Sequence, residues 1–251
     1  MESASTFYDG LAGQYETLTQ TTVREKAVRE VVAELHRRTG FRSALDAACG
    51  TGLFTFALAE FAHPVYGADI SGAMLEQARG ARANRGHDVD WIHAPMQELA
   101  DTVATPVDII LCMGNSLPHV LTLDDVRKTL AGFADLLNSG GTVLLHQINF
   151  DRVFLRAERL VGATWSEGVS FVRFYDLMGE RVRFNVVETR WEGQPPATHW
   201  HCTDLRGHRH AELVAALQST DFSDIRCWGD LSFAPFDRRE SELLVLEAKK
   251  R

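Results

Sequence analysis

Two acidic residues flank a stretch of small residues that is suited to holding a ligand against bare backbone. Asp46 ends a short apolar segment, and Gly50 and Gly52 follow it in a tight turn. Glycine has no Cβ, so the backbone can bend sharply there and a ligand can approach it closely. A helix beginning near Gly52 would point free N–H groups at that ligand. The carboxylate of Asp46 disfavours phosphate at this turn and favours a ligand with hydroxyls or a cationic centre.

The second acid, Asp69, ends the next apolar segment, seventeen residues after Gly52. In nucleotide-binding βαβ units, an acid about 20 residues beyond the glycines accepts hydrogen bonds from ribose hydroxyls. The succession of strand, turn, helix, strand and acid therefore predicts a ligand that contains adenosine.

The elements that position these acids alternate between strand and helix. Strands are predicted at residues 43–47, 64–69, 89–93, 107–113 and 142–149, and helices at 52–61, 72–85, 97–101 and 123–137. In the last helix Thr122 and Asp125 predict the N-terminal cap, and Gly140 and Gly141 predict the stop. Such alternation is typical of an α/β fold with a parallel sheet and helices on both faces. Ligands then bind at the carboxyl ends of the strands.

The remaining segments predict additions to one domain. Phe7, Leu11, Tyr15 and Leu18 share one helix face, and a second helix, capped by Thr21 or Thr22, ends at Gly40. We expect a helical lid at residues 1–38 and a ligand-binding core at 40–150. An antiparallel insertion that covers the site is predicted at 151–210, and a closing helix with strands at 211–251. Within these last two segments the strands are predicted at 169–175, 181–191, 198–203, 225–228 and 243–247, and the helix at 213–217.

The core motifs resemble those of a known family. Asp46-x-Ala48-x-Gly50-x-Gly52, followed by Asp69 and Ser71-Gly72-Ala73-Met74-Leu75, is similar to the cofactor site of class I S-adenosylmethionine (SAM) methyltransferases. The family usually has glycine where this chain has Ala48. The resemblance implies a Rossmann-like sheet of seven strands, SAM as cofactor and S-adenosylhomocysteine as product. It also implies methyl transfer to nitrogen or oxygen of a small molecule, by in-line displacement at the sulfonium methyl.

Two further stretches resemble the glycine N-methyltransferase group, namely residues 114–119 and 149–151. Together with the core motifs, the family resemblance implies cofactor contacts at Tyr15, Arg24, Ala48, Gly50, Gly52, Asp69, Ile70, Met74, Met96 and Met113. It implies contacts with the methyl acceptor at Tyr8, Asn115, Asn149, Phe150 and Tyr175. Asn115 is expected beside the reactive methyl, and His119 is the candidate base for a hydroxyl acceptor.

One position departs from that group. Its members carry an arginine just before the asparagine of strand five, where it holds the carboxylate of an amino acid, and this chain has Ile148. Burying an unpaired carboxylate against isoleucine is costly. The departure predicts that free glycine is a poor acceptor and that the acceptor is larger and less charged. Arg173, Arg183 and Arg190 could substitute, but the sequence does not place them in the site.

Composition excludes several other classes. The net charge of −8 and the absence of a Lys/Arg run disfavour nucleic acid and anionic membranes as partners. No apolar run is long enough for a membrane helix, no signal peptide is evident, and four cysteines at unpatterned spacing suit the cytoplasm. No metal is expected, because the histidines and cysteine clustered near the insertion lack a four-ligand spacing; they are His199, His201, Cys202, His208 and His210.

Two alternative functions stay open at this stage. One is a non-catalytic protein that binds SAM or a nucleotide, and the other is an NAD-dependent oxidoreductase. The second is disfavoured because Phe54 and Thr55 stand where a third glycine is needed. The sequence is compatible with a homo-oligomer and does not identify the acceptor.

Overall fold

The computed structural model describes residues 3–82, 86–166, 168–192 and 194–251. The described residues form eleven strands: β1 (Ala44–Asp46), β2 (Val65–Asp69), β3 (Asp90–His93), β4 (Val107–Cys112), β5 (Leu137–Ile148), β6 (Leu160–Ser166), β7 (Val169–Met178), β8 (Arg181–Arg190), β9 (Ala197–Arg206), β10 (Phe222–Trp228) and β11 (Leu243–Lys250). The helices are α1 (Ala4–Leu11), α2 (Tyr15–Thr19), α3 (Thr21–Thr39), α4 (Leu53–Leu58), α5 (Gly72–Arg82), α6 (Leu123–Leu136), α7 (Phe150–Arg156) and α8 (His210–Ser219). Short 3-10 turns lie at Ala12–Gln14, Met96–Asp101 and Leu117–His119.

The strands form two sheets. Seven of them follow the order β10-β11-β5-β4-β1-β2-β3, in which β5, β4, β1, β2 and β3 pair in parallel and β11 pairs antiparallel with both β5 and β10. Strands β6 to β9 form a separate antiparallel sheet. The predicted fold class is therefore confirmed: an α/β domain with a seven-stranded sheet and an antiparallel addition.

The large sheet is apolar because it is covered on both sides. Every residue of β1 and β2 is buried, as expected for central parallel strands. The predicted stripe of α6 packs on one face through Val126, Leu130 and Phe133, all of them fully buried. On the other face α3 packs through Val28, Val32 and Leu35. The carboxyl ends of β1, β2 and β4 are thereby held in one plane.

The N-terminal helices contact the second sheet as well as the first. Phe7 and Leu11 pack against Phe171 and Val186 of that sheet. Asp9 ties the same helix to the start of α5, where its carboxylate accepts hydrogen bonds from Ser71 Oγ at 2.6 Å and from the Ala73 N–H at 3.3 Å. Helix α1 therefore bridges the large sheet's helices and the antiparallel sheet.

The structure corrects several local expectations. Helix α6 ends at Leu136, so Gly140 and Gly141 do not stop it; they lie within β5, where the register with β4 is interrupted. A Cβ at Gly141 would lie 2.8 Å from the Asn138 carbonyl oxygen, which explains the glycine. Helix α3 begins after Gln20 without a side-chain cap, rather than behind a threonine cap. Helix α7 and strand β6 were not predicted, and the last part of the predicted helix 72–85, residues 83–85, lies outside the described residues.

In the described part of the chain, no helix combines the length and apolarity that crossing a bilayer requires.

We predict that Gly67→Ala destabilises the protein by overpacking. A Cβ at Gly67 would lie 2.6 Å from Trp91 Cζ3 and 3.1 Å from Thr55 Cγ2, so both side chains must shift. The expected loss is about 1–3 kcal/mol in the free energy of unfolding, measured by denaturant titration. The matched control is Gly80→Ala in α5, where a Cβ meets nothing within 4 Å, and a stability gain of up to about 1 kcal/mol is expected. Equal effects at the two positions would contradict the packing argument.

Candidate functional site

Three adjoining cavities lie at the carboxyl ends of β1, β2 and β4, and Tyr15 lines all of them. The Asp69 cavity spans about 650 Å³, including its opening to solvent, and is also lined by Ile70, Met74 and Met96. The Asp46 cavity spans about 460 Å³ by the same measure and is also lined by Arg24 and Met113. The Arg173 cavity spans about 630 Å³ by that measure and is also lined by Asn115, Ile148 and Tyr175. The three share walls, so ligands in them would lie close to one another.

In the Asp69 cavity, one buried carboxylate joins two turns. Asp69 accepts hydrogen bonds from the Gly50 N–H at 2.8 Å and from the Ser71 N–H at 2.9 Å. Burial raises the pKa of Asp69 above its ordinary value, and the two N–H donors oppose that shift. A carboxylate has about four lone-pair sites, so Asp69 retains acceptor capacity for hydroxyls of a bound ligand. Met74 and Met96 give the same cavity apolar walls that suit a flat ring.

The Asp46 cavity holds two opposite charges that do not pair with each other. Asp46 Oδ2 accepts a hydrogen bond from Thr55 Oγ1 at 2.8 Å, while Oδ1 is buried and has no partner among the described residues. Burial raises the pKa of Asp46 to about 7, and the nearby Asp69 charge adds to the rise. Arg24 lines the same cavity, and no ion pair joins it to a described residue. A zwitterionic amino acid group fits this pair, and the methionyl end of SAM is such a group.

The two turn glycines serve different purposes. Gly50 has φ of +54° and lines both the Asp69 and Asp46 cavities, as does Ala48. Gly52, at φ +89°, lines none of the three cavities. A Cβ there would lie 2.9 Å from both Phe56 and Trp91. Packing behind the turn therefore requires a glycine at residue 52, and its contact with the cofactor stays a prediction.

At the junction of the Asp69 and Arg173 cavities, Tyr8 meets His119. The Tyr8 hydroxyl and His119 Nε2 are 2.9 Å apart, and His119 Nδ1 is buried without a partner among the described residues. Burial lowers the pKa of His119 to about 4 and raises that of Tyr8. His119 is therefore neutral near pH 7, and one of its nitrogens is already engaged by the lid.

The Arg173 cavity is bounded by the ends of β4 and β5. Gly114 and Asn115 both have positive φ, at +71° and +66°. Asn115 Oδ1 accepts a hydrogen bond from the Ile148 N–H at 3.0 Å, which joins the two strand ends. Tyr175 is buried opposite, and burial raises the pKa of its hydroxyl. Asn115 and Tyr175 thus line the same cavity, and their contact with an acceptor stays a prediction.

Two other predicted acceptor residues lie elsewhere. Asn149 is buried and its Nδ2 donates to the carbonyls of Arg238 at 3.0 Å and Ser241 at 2.9 Å, which secures the loop before β11. Phe150 is fully buried in a cluster with Val153. Neither lines any of the three cavities. The expectation that they contact the acceptor is corrected, because strand five turns into α7 at this point.

Two residues at the site were not assigned from the sequence. Asp9 fixes the lid to α5, and no spacing pattern distinguishes it from a solvated acid. Arg173 was one of three candidate arginines, and only the register of β7 in its sheet places it at a cavity.

The histidines near the insertion do not converge. His208 Nε2 lies 2.8 Å from the Val120 carbonyl oxygen, and His210 Nε2 lies 3.2 Å from Cys227 Sγ. His201 Nε2 lies 3.7 Å from Glu188. Among residues 3–82, 86–166, 168–192 and 194–251, no group of three or more His, Cys, Asp or Glu side chains could hold a metal ion.

We predict that SAM affinity falls below about pH 7 through Asp46. Without ligand the raised pKa leaves Asp46 largely protonated below pH 7, whereas a ligand ammonium beside it favours the ionised form. Binding at lower pH therefore releases a proton, and the dissociation constant should rise by up to about tenfold per pH unit below 7. Calorimetry in buffers of different ionisation enthalpy measures both effects. Asp46→Asn should bind SAM more weakly at pH 8 and lose most of the pH dependence; an unchanged pH profile would refute the pairing.

We predict that Asp69→Ala weakens SAM binding by about 1.5–3 kcal/mol, because it removes charge-assisted hydrogen bonds to the ribose. Since Asp69 also holds Gly50 and Ser71, circular dichroism must show that the variant is folded. Asp90→Ala, at an exposed position of β3, is the matched control and should bind SAM normally. If calorimetry shows that the Asp69 variant binds SAM with unchanged affinity, Asp69 does not bind the ribose.

Comparison with known proteins agrees with this geometry. Residues 44–141 match a family model described as a methyltransferase domain. The chain is 32% identical over 147 residues to a glycine/sarcosine N-methyltransferase of Halorhodospira halochloris, an alignment that covers 59% of this chain and about half (55%) of that relative. It is 27% identical over 251 residues to a glycine/sarcosine N-methyltransferase of Aphanothece halophytica, covering 97% of this chain and 89% of the relative.

The fold is similar to that of a SAM-dependent methyltransferase from Clostridium acetobutylicum, with a TM-score of 0.82 and 17% identity over 97% of this chain and 98% of that one. Residues 44–141 thus match a methyltransferase domain, and the chain resembles the glycine/sarcosine N-methyltransferases in sequence and a SAM-dependent methyltransferase in fold.

Proposed function

We propose that the protein transfers the methyl group of SAM to the nitrogen of a small-molecule amine. The observation that carries the proposal is the unpaired Asp46 and Arg24 in a cavity that Tyr15 and Gly114 connect to the Arg173 cavity. A zwitterionic methionyl group neutralises both charges at once. The reactive end of the cofactor is then directed toward the cavity proposed for the acceptor.

When bound, SAM supplies an electrophilic methyl group: a C–N bond forms from the amine lone pair as the C–S bond breaks with its electrons to sulfur, giving a neutral thioether, and the nitrogen then releases a proton to water. The protein's contribution is to position the reactants and to exclude water. Tyr8, Tyr15 and His119 line the junction, and Tyr8 and His119 close it with their hydrogen bond. Burial raises the pKa of Tyr15 to about 12, so its hydroxyl keeps its proton.

The base at the junction is weak, and this favours nitrogen over oxygen as the methylated atom. A neutral amine attacks without a base, whereas a hydroxyl needs one. His119 is the candidate base from the sequence, but its pKa near 4 makes it a weak one, and Tyr8 occupies its Nε2. The names of the two relatives, both N-methyltransferases, support the same choice.

The proposal includes the cytoplasm as the compartment, which the free thiols of Cys49, Cys112, Cys202 and Cys227 support. The alternative of a SAM-binding protein without catalysis shares the cofactor site. A protein without catalysis needs no acceptor cavity, so the presence of the Arg173 cavity disfavours this alternative.

The test is a screen of amines, phenols and carboxylic acids with methyl-labelled SAM. We expect label in at least one amine, with S-adenosylhomocysteine formed in equal amount. Arg24→Ala should raise the Michaelis constant for SAM at least tenfold, because it removes the partner of the methionyl carboxylate. Lys26→Ala, a fully solvated neighbour, should leave that constant unchanged.

Three outcomes would overturn parts of this proposal. Binding of NAD in place of SAM would refute the cofactor. SAM binding without transfer to any acceptor would favour the non-catalytic alternative. If Arg24→Ala raises only the Michaelis constant of the acceptor, Arg24 binds the acceptor and not SAM.

A further inference from the structure

Arg173 is a cation without a counter-ion at the wall of the proposed acceptor cavity. Its Nη2 donates to Thr164 Oγ1 at 3.2 Å, and its Nε is buried without a partner among the described residues. No ion pair joins it to a described carboxylate. By contrast, Arg183 lies 3.3 Å from Asp204 and Arg190 lies 2.6 Å from Glu188. Of the three arginines that could replace the one missing at residue 148, only Arg173 lines the cavity.

The surroundings leave this charge uncompensated. The titratable groups that act on Arg173 are the hydroxyls of Tyr15 and Tyr175 and the guanidinium of Arg24. Both hydroxyls stay protonated because burial raises their pKa, and Arg24 is itself positive. Desolvation is the largest influence on Arg173 and opposes its charge. A partly buried guanidinium of this kind is stabilised by a ligand anion, and a carboxylate matches its fork geometry.

The fold also makes room for the guanidinium. A Cβ at Gly162, on the neighbouring strand β6, would lie 3.1 Å from Arg173 Nη2. The side chain is thereby accommodated beside Thr164. The hydrogen bond to Thr164 holds Nη2, and Nε has no partner among the described residues.

The rest of the cavity is apolar. Its walls include Phe7, Leu11, Leu18, Val161, Phe184 and Leu205. With Ile148 on the β5 side, these walls present an extended apolar surface to a ligand, more than the side-chain-free glycine could contact. A ligand that matches both features has an apolar body and one anionic group.

We propose that Arg173 binds the carboxylate of the methyl acceptor, and that this acceptor is an amino acid-like amine whose apolar body is much larger than that of glycine. The inference rests on the proposed function and specifies its substrate class. It keeps the expectation of a large acceptor that Ile148 suggested and reverses the expectation of low charge. The carboxylate-binding arginine comes from the antiparallel sheet, across the cavity from the end of β5.

The first experiment tests the anion site without turnover. Phenylacetate and its neutral isostere phenylacetamide are titrated into the protein saturated with S-adenosylhomocysteine. We expect phenylacetate to bind at least tenfold more tightly than the amide. Arg173→Met should abolish that difference, and Arg173→Lys should retain part of it, since lysine keeps the charge but loses the fork. Arg181→Met, at a largely exposed arginine of β8, is the matched control and should behave as wild type.

The second experiment measures methylation of phenylalanine and phenylalaninamide. Arg173→Met should lower the catalytic efficiency for phenylalanine at least tenfold more than for the amide, with SAM affinity unchanged. Unchanged SAM affinity also shows that each variant is folded.

The two failures are distinguishable. Arg173-dependent binding of phenylacetate without methylation of any amine would leave the anion site standing and refute the proposed reaction. Methylation of amines with equal losses for acid and amide in the Arg173→Met variant would refute the role of Arg173 and leave the reaction standing. Failure of phenylacetate to bind the wild-type complex more tightly than the amide would also overturn the inference.

Discussion

The site depends on one buried carboxylate that holds two turns together. Asp69 accepts hydrogen bonds from the Gly50 and Ser71 N–H groups, so the turns after β1 and β2 cannot move independently. Ser71 in turn receives the lid, through its hydrogen bond to Asp9. Because Asp69 is buried, the hydrogen bonds from these N–H groups offset the free-energy cost of placing its charge in the interior. The cofactor turn, the second strand and the lid therefore share one set of hydrogen bonds.

The second constraint on the molecule is that three charged side chains of the site lack an ion-pair partner among the described residues. Asp46, Arg24 and Arg173 line two adjoining cavities, and none of the three forms an ion pair with a described residue. Charges that are wholly or partly removed from water without an opposite charge lower the stability of a folded chain. Their retention is understood if two ligands supply the missing partners, and the protein then gains stability from binding both. Elsewhere in the described residues, buried carboxylates such as Asp151 and Glu247 have arginine partners.

The features predicted correctly from sequence are those encoded by local spacing. Strand β1, the Gly50 turn and Asp69 lie within about 30 residues of one another, and the order of the parallel strands follows from strand and helix periodicity. Gly140 and Gly141 were misassigned because a double glycine resembles a helix stop, whereas the pairing of β5 with β4 decided the outcome. Asn149 and Phe150 matched a family pattern, but α7 turns them inward. Arg173 was not assignable because its position depends on the register of strands β6 to β8, which periodicity does not specify.

Tyr15 lies where the three cavities of the site adjoin one another. Its ring borders every cavity of the site, and it lies in the short helix between α1 and α3. The same segment reaches the second sheet through α1, where Phe7 and Leu11 pack. A displacement of this segment would therefore change all three cavities at once. In the proposed reaction, such a displacement would open the donor and acceptor sites together.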